Sequence, residues 1–252
     1  MWCLPNDRSK AVITATEQIH SAHHTCGLRL PETAIVFFMS KGTDYLMAHY
    51  DAEELPEPFP RFLNRCPIYE IKDLQVCFLD GGRGAPQAVD TVETLAALGV
   101  KNIIAVGMCG AYAETVRVGQ VIAPQKAFVE EGTSLHYYES MKVSCPDGDL
   151  LQMATSLLGV GNAPIVSTDA VYRQTFAKEQ LWREKGAVAV DMETSAVFSV
   201  AQYLGLKAVA LLMVSDIHPA KPDAPKWAWH MTKDMKYHLA ELGIALAKKM
   251  AQ

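Results

Sequence analysis

The chain lacks several features that would have settled its class at once. No apolar run among its 252 residues approaches the ~20 needed to span a bilayer, so no membrane helix and no membrane partner are expected. Its N-terminus, Met1-Trp-Cys-Leu-Pro-Asn-Asp7, has no basic stretch followed by an apolar core, so no signal peptide is expected. There is no CxxC pair. Six cysteines (Cys3, Cys26, Cys66, Cys77, Cys109 and Cys145) are scattered, which suits reduced thiols and a cytoplasmic location. Nor is there a basic surplus: 23 Lys and Arg face 28 Asp and Glu, giving a net charge of −5, which argues against a nucleic-acid partner. Internal repeats and low-complexity stretches are missing too. What remains is 50% apolar and 20% charged, which excludes disordered, collagen-like and coiled-coil proteins. The length allows one large domain or two small ones, with a core that needs no staples.

Hydrophobic patterning alternates between two periods. Ala34–Met39, Val76–Leu79, Ile103–Val106, Val121–Ala123, Pro164–Val166, Val188–Val190 and Lys207–Val214 read as short buried strands. Helical spacing covers Ala11 to about Cys26, Pro86–Leu98, Leu150–Leu158, Phe176–Lys185 and Thr194–Leu204. Trp227, Met231, Met235, His238, Leu242, Leu246 and Met250 mark the apolar face of a long C-terminal helix, with Trp227 and Trp229 as packing residues. Asp51–Pro60, with three prolines among acids, reads as an irregular surface segment. Strands alternating with helices predict an α/β fold with a central mixed, mainly parallel sheet flanked by helices.

In such folds ligands gather at the carboxyl ends of strands. Small and polar residues collect there: Ser40–Thr43, Gly81–Gly84, Gly107–Gly110, Ser167–Asp169, Asp191–Glu193 and Ser215–Asp216. The glycines of Gly81-Gly82-Arg83-Gly84 let backbone approach a ligand, and the helix start beyond them offers free N–H groups to an anion. The alternative for that segment is a tight strand–helix turn; Gly107-Met108-Cys109-Gly110 reads as a second backbone cradle, with Cys109 a small packing residue rather than a nucleophile. Asp191 and Glu193 either cap a helix or hold a sugar diol, since a carboxylate accepts two hydrogen bonds. Asp216, with Ser215, ends the most apolar strand. Low-dielectric surroundings there raise a carboxyl's pKa and favour a general acid. His136 lies in a polar loop and is expected to line the site. His20, His23 and His24 share a helix face beside Cys26; with no second ligand cluster, no metal site is expected.

Taken together and in order, these segments resemble the nucleoside phosphorylase/nucleosidase superfamily, which includes purine nucleoside phosphorylases, uridine phosphorylases and methylthioadenosine nucleosidases. The resemblance runs best from Asp80 to Asp216. It is carried by Asp80-Gly-Gly-Arg-Gly-Ala-Pro86, Ala105-Val-Gly-Met-Cys-Gly-Ala111 with Val118-Gly-Gln-Val121, Glu131-Gly-Thr-Ser-Leu-His-Tyr137, Ser167-Thr-Asp-Ala-Val-Tyr-Arg173, Val190-Asp-Met-Glu-Thr-Ser-Ala196 and Val214-Ser-Asp216. It implies a single domain over residues 1–252 with an atypical N-terminal helical segment over about residues 1–30. It implies cleavage of the N-glycosidic bond of a purine nucleoside, with inorganic phosphate as co-substrate and no metal or organic cofactor. Glu193 would hold the ribose hydroxyls with Met192 packed on the sugar, Val171 and Tyr172 would border the base, and Asp216 would protonate the purine N7. A homo-oligomer, dimer or hexamer, is implied as well.

The chain departs from the family where phosphate is held. An Arg two residues before Gly107 and a Ser or Thr just after it are replaced by Ala105 and Met108, and Ser40-Lys41-Gly42-Thr43 stands where the family has a Gly-Asp-Pro-Gly-Arg-like turn. Phosphate needs several donors and positive charge. Gly84, Lys41, Arg83 and Arg173 are the residues left to supply them; the basic residue that assists the Asp in purine phosphorylases is not obvious after Asp216, although Lys221 and Lys226 are near in sequence. Two alternatives follow: a nucleosidase that uses water, although Glu17 lies in an atypical segment and does not supply the family's water-activating Glu, or a non-catalytic nucleoside-binding relative.

Overall fold

The computed structural model of the chain describes residues 9–21, 27–224 and 227–251. At its centre β1 (Thr33–Phe37) runs parallel to β4 (Val76–Asp80) on one side and to β5 (Asn102–Ala111) on the other, and β10 (Lys207–Ile217) runs parallel to β5 beyond them. These strands are almost wholly apolar because helices cover both faces. Their side chains alternate. Ile35, Phe37, Ile104, Val106, Val209 and Leu211 join a core with α2 (Gly42–His49), α4 (Gly148–Leu158) and α7 (Lys233–Met250). Ala34, Val36, Ile103, Ala105, Ala208 and Ala210 join the opposite core with α3 (Ala85–Ala97) and α6 (Thr194–Leu204). The small residues on that second face suit α6, whose residues from Thr194 through Ala201 are all buried.

Two features set this sheet apart from a simple stack. β5 also reaches β10 the long way, through β9 (Ala189–Asp191), β8 (Gly161–Thr168) and β6 (Val121–Glu130), so five strands close into a ring. On the other side β3 (Ile68–Ile71) and β2 (Glu53–Glu54) extend the sheet, and β7 (Val143–Ser144) pairs with β6. The long ladders are parallel and the antiparallel pairings are short, as the mixed, mainly parallel expectation requires. No helix among the described residues is long and apolar enough to cross a membrane.

The structure differs from the sequence reading in five places. The first helix, α1 (Ala15–Ile19), covers only part of Ala11–Cys26. Thr14 and Glu17 form a capping box that starts it at residue 15, and His23, His24 and Cys26 lie outside the described residues. The loop at Ser40–Thr43 turns into α2 at Gly42, after Lys41 adopts φ 76°. Asp51–Pro60 is not all surface, because Phe59 is fully buried and bridges Cys66. Gly107–Gly110 is not a loop but a continuation of β5, its backbone paired with β10 and β9. Trp227 and Met231 precede α7, and His238 is exposed. Met235, Leu242, Leu246 and Met250 pack on the core as expected, joined by Leu239, Gly243 and Ala247 as the buried centre of the face.

Gly42 shows how closely α2 approaches the sheet. A Cβ there would stand 2.3 Å from the ring of the fully buried Phe37. Gly42→Ala is expected to lose about 1–3 kcal/mol through overpacking, read as a lower urea midpoint.

Candidate active site

The carboxyl ends of the central strands open onto a cavity of about 490 Å³. Each strand end delivers a few side chains: Phe38 after β1, Arg83 after β4, Met108 through Gly110 from β5, Asp191 from β9, and Ser215 and Asp216 from β10. A β-bulge between Val214 and Asp216 breaks the register of β10 against β5 and aims Asp216 toward the cavity.

Asp216 is 3% exposed and surrounded by donors. Ser215 Oγ lies 2.5 Å from its Oδ1, and the Trp227 indole Nε1 donates to Oδ2 at 2.5 Å. His218 Nε2 lies 3.2 Å from the same Oδ2. Burial alone would raise this carboxyl's pKa, but the hydrogen bonds from His218, Ser215 and Trp227 outweigh it and hold the group below its ordinary value. The raised pKa expected from the sequence is therefore corrected: Asp216 is a carboxylate that carries no proton at neutral pH. His218 shows the opposite shift. Burial opposes its charge, yet hydrogen bonds to Asp216 and Glu179 prevail and push it up to about 9. Its Nδ1 lies 2.6 Å from Glu179 Oε1. Glu179, 5% exposed on α5 (Phe176–Glu184), is backed in turn by Arg183, whose Nε donates to the Tyr112 carbonyl at 2.8 Å.

Glu193 and Asp191 stand across the cavity at the start of α6. Glu193 accepts the Gly84 N–H at 2.6 Å and the Met192 N–H at 3.3 Å, which leaves lone pairs on both oxygens. Burial and the neighbouring Asp191 raise its pKa. Asp191 is raised as well, chiefly by burial, although Ser167 and Thr194 both donate to it and tie it to the helix start.

The anion-binding candidates divide. Arg83 lines the cavity, but its guanidinium grips Asp80 at 3.0 and 3.1 Å, and the Gly82 N–H points at the same carboxylate at 2.7 Å. Gly84 contributes through Glu193, from an N-cap conformation with φ 79° that glycine adopts without strain. Lys41 pairs with Asp44 at 3.0 Å, and neither it nor Arg173 is among the lining residues. Gly107 packs below the cavity against Phe38 and Leu212, and the exposed His136 does not line it. Lys221 is paired with Asp223 at 3.6 Å, and Lys226 lies outside the described residues.

Val171 and the 97%-exposed Tyr172 are among the lining residues. Trp227 and Trp229 were read from the sequence as helix packing. They are wall residues, half exposed in the segment before α7. Sequence reasoning also missed Phe38, Glu179 and His218. His218 had a findable signal, since it lies two residues beyond Asp216 in extended chain and so shares its face. Glu179 carried none, because nothing local marks a charged residue on α5 as buried.

Gly110 makes room for this arrangement: a Cβ there would stand 2.4 Å from His218 Nε2 and 3.1 Å from Asp216 Oδ2. In Gly110→Ala the imidazole titration, followed by NMR, is expected to fall from about 9 toward the ordinary 6.5 as the pair is forced apart. The raised Glu193 makes a second prediction. The folded chain holds a proton that the unfolded chain gives up near pH 4.5, so this contribution to stability is full below that pH and is lost as the pH climbs through the raised value. Glu193→Gln should flatten the decline of Tm with rising pH; an unchanged slope would show that Glu193 does not cause it.

Comparison with known proteins agrees with this geometry. The profile of the Phosphorylase superfamily matches residues 32–246. A guanosine phosphorylase of Halorubrum lacusprofundi is 34% identical over 154 residues, which is 58% of this chain and 62% of that protein, so the matched part spans about three fifths of that relative. A purine nucleoside phosphorylase, DeoD-type, of Clostridium beijerinckii is 28% identical over 75% of this chain and 84% of its own length. Two solved structures share the fold: an AMP nucleosidase from Bacteroides thetaiotaomicron, with TM-score 0.70, 21% identity and coverage of 88% and 89%, and a uridine phosphorylase from Vibrio fischeri, with TM-score 0.69, 22% identity and coverage of 88% and 93%. The chain, with Asp191, Glu193 and Asp216 gathered at one cavity, belongs to the Phosphorylase superfamily.

Proposed function

We propose that this chain cleaves the N-glycosidic bond of a purine nucleoside and transfers the pentosyl group to inorganic phosphate. The observation that carries the reading is that Asp216 and Glu193, separated by 23 positions in the sequence, line one cavity of about 490 Å³. That volume falls within the roughly 300–1,000 Å³ of small-molecule sites. In this reading the ribose 2′- and 3′-hydroxyls donate to the free lone pairs of Glu193, and Met192 packs on the sugar. Val171 and Tyr172 border the base, whose N7 edge faces Asp216. As the C1′–N9 bond breaks, positive charge grows on the sugar and negative charge on the base, and a proton delivered to N7 removes the second cost.

Phosphate would draw on Arg83, the one Lys or Arg among the described lining residues. Its pair with Asp80 is about half exposed, with side chains 47% and 43% accessible, and such pairs are worth only about 0–1 kcal/mol, so exchange for a doubly charged anion costs little.

A second reading, with water as the acceptor, is favoured by one observation. The Gly82 N–H and the Arg83 guanidinium already hold the Asp80 carboxylate, so the positive elements of the glycine turn are occupied by an internal anion. A purine nucleoside panel assayed with and without phosphate separates the two. Phosphorolysis predicts base release that depends on phosphate and yields pentose 1-phosphate; equal rates without phosphate, with free pentose as product, overturn it in favour of hydrolysis. Binding without turnover would overturn both. Asp216→Asn is expected to lower turnover by at least ~10²-fold, and full activity would remove Asp216 from the reaction.

A further inference from the structure

The cleavage proposed above needs a proton at the base, and Asp216 as it stands has none to give. We propose that His218 holds that proton and passes it through Asp216 to the leaving purine, with Glu179 keeping the imidazole loaded and oriented. The inference rests on the nucleoside-cleavage reading and is independent of whether phosphate or water takes the sugar.

Geometry carries it. The three groups lie in a row, with Asp216 Oδ2 3.2 Å from His218 Nε2 and His218 Nδ1 2.6 Å from Glu179 Oε1. All three line the cavity. The imidazole occupies space that exists only because residue 110 is glycine. Its backbone is anchored too, since the His218 N–H donates to the Ala111 carbonyl at 2.7 Å, so the ring follows the end of β10 against β5. Glu179 is fixed from behind by Arg183.

The charges that face His218 come from three elements. β10 presents Asp216. α5 presents Glu179, with Arg183 directly behind it. Beyond β5, Tyr112 has its ring centroid 6.4 Å from the imidazole, and Cys109 within that strand stands near Asp216. Burial pushes the Cys109 thiol well above its ordinary value, and burial raises the Tyr112 phenol too, so both stay neutral. Two carboxylates therefore bracket one imidazole, and the second has its own cation. This explains why the ring stays protonated up to about pH 9 although it is mostly buried.

The step balances simply. The C1′–N9 electron pair moves onto the base as that bond breaks. Asp216 Oδ2 takes the proton from His218 Nε2 and gives that same proton to N7. His218 ends neutral, with its Nδ1–H still donated to Glu179, and regains a proton from solvent after the base leaves. Asp216 is a carboxylate before and after, so its lowered pKa serves the reaction.

His218→Gln, assayed on guanosine and on 7-methylguanosine, tests this. Methylation at N7 makes the base cationic in the substrate, so it leaves as a neutral molecule and needs no proton. The expected result is a loss of ~10²-fold or more in kcat on guanosine with little change in KM, while 7-methylguanosine is cleaved within a few-fold of the native rate. Equal losses on both substrates would mark His218 as a merely structural residue, and no loss on guanosine would remove it altogether. The pH profile of kcat on guanosine supplies a second, independent readout. The native enzyme should lose activity on the alkaline side near pH 9, where His218 deprotonates. Glu179→Gln removes a charge that favours the imidazolium, so this limb should move to lower pH by a unit or more, and in His218→Gln it should vanish. An alkaline limb that stays in place in Glu179→Gln overturns the proposal. A native protein that cleaves neither nucleoside defeats the nucleoside reading itself, which is a different outcome from either failure of His218.

Discussion

Everything at the open end of the sheet depends on how buried carboxyls, Asp191, Glu193 and Asp216 with Glu179 behind His218, are spared the full cost of losing water. An ionised carboxylate in a low-dielectric setting either gains donors and a countercharge or takes up a proton. The two sides of the cavity use different answers. Asp216 gains two hydrogen-bond donors and an imidazolium, so it stays charged. Glu193 and Asp191 receive backbone and hydroxyl donors, but burial outweighs these and the Arg83 charge near Glu193, and their pKa values rise. One wall of the cavity thus holds a fixed charge pair, and the other holds carboxyls that accept hydrogen bonds with less charge. A ligand with a basic heterocycle at one end and a diol at the other matches that division.

The supports of these groups are backbone features more than side-chain choices. The bulge in β10 turns Asp216 to the cavity, Gly110 leaves space for His218, and the N–H of Gly84 reaches Glu193 across 109 residues of sequence. The closed ring of β5, β9, β8, β6 and β10 holds the strand ends that carry Asp191 and Asp216 in one rigid frame. Such a frame keeps distances near 3 Å fixed without relying on long flexible side chains. The glycine turn before α3 behaves differently. Its positive elements face Asp80, and that partly exposed pair is the least constrained part of the site.

Much of the fold was legible in the sequence. Runs such as Lys207–Val214 could only be strands buried on both faces, and the spacing in Pro86–Leu98 and Thr194–Leu204 could only be helical; the observed elements agree within a few residues. The misreadings have physical causes. Gly107–Gly110 looked like a loop because glycine is rare inside strands, yet here it is needed where side chains from β10 crowd the backbone. The pattern assigned to the last helix began too early because Trp227 and Met231 happen to continue its spacing, although the helix is capped only at Thr232.

Sequence alone therefore determined the order of strands and helices, the family, and the two carboxyl-bearing loops, because periodicity and short motifs are properties of neighbouring residues. Only the tertiary structure decided what those carboxyls are. Whether Asp216 carries a proton depends on an imidazole two residues away and on Glu179, which lies 39 residues from His218 in the chain and beside it in space. Protonation state is set by burial and by charges within a few ångströms, and those distances exist only once the chain has folded.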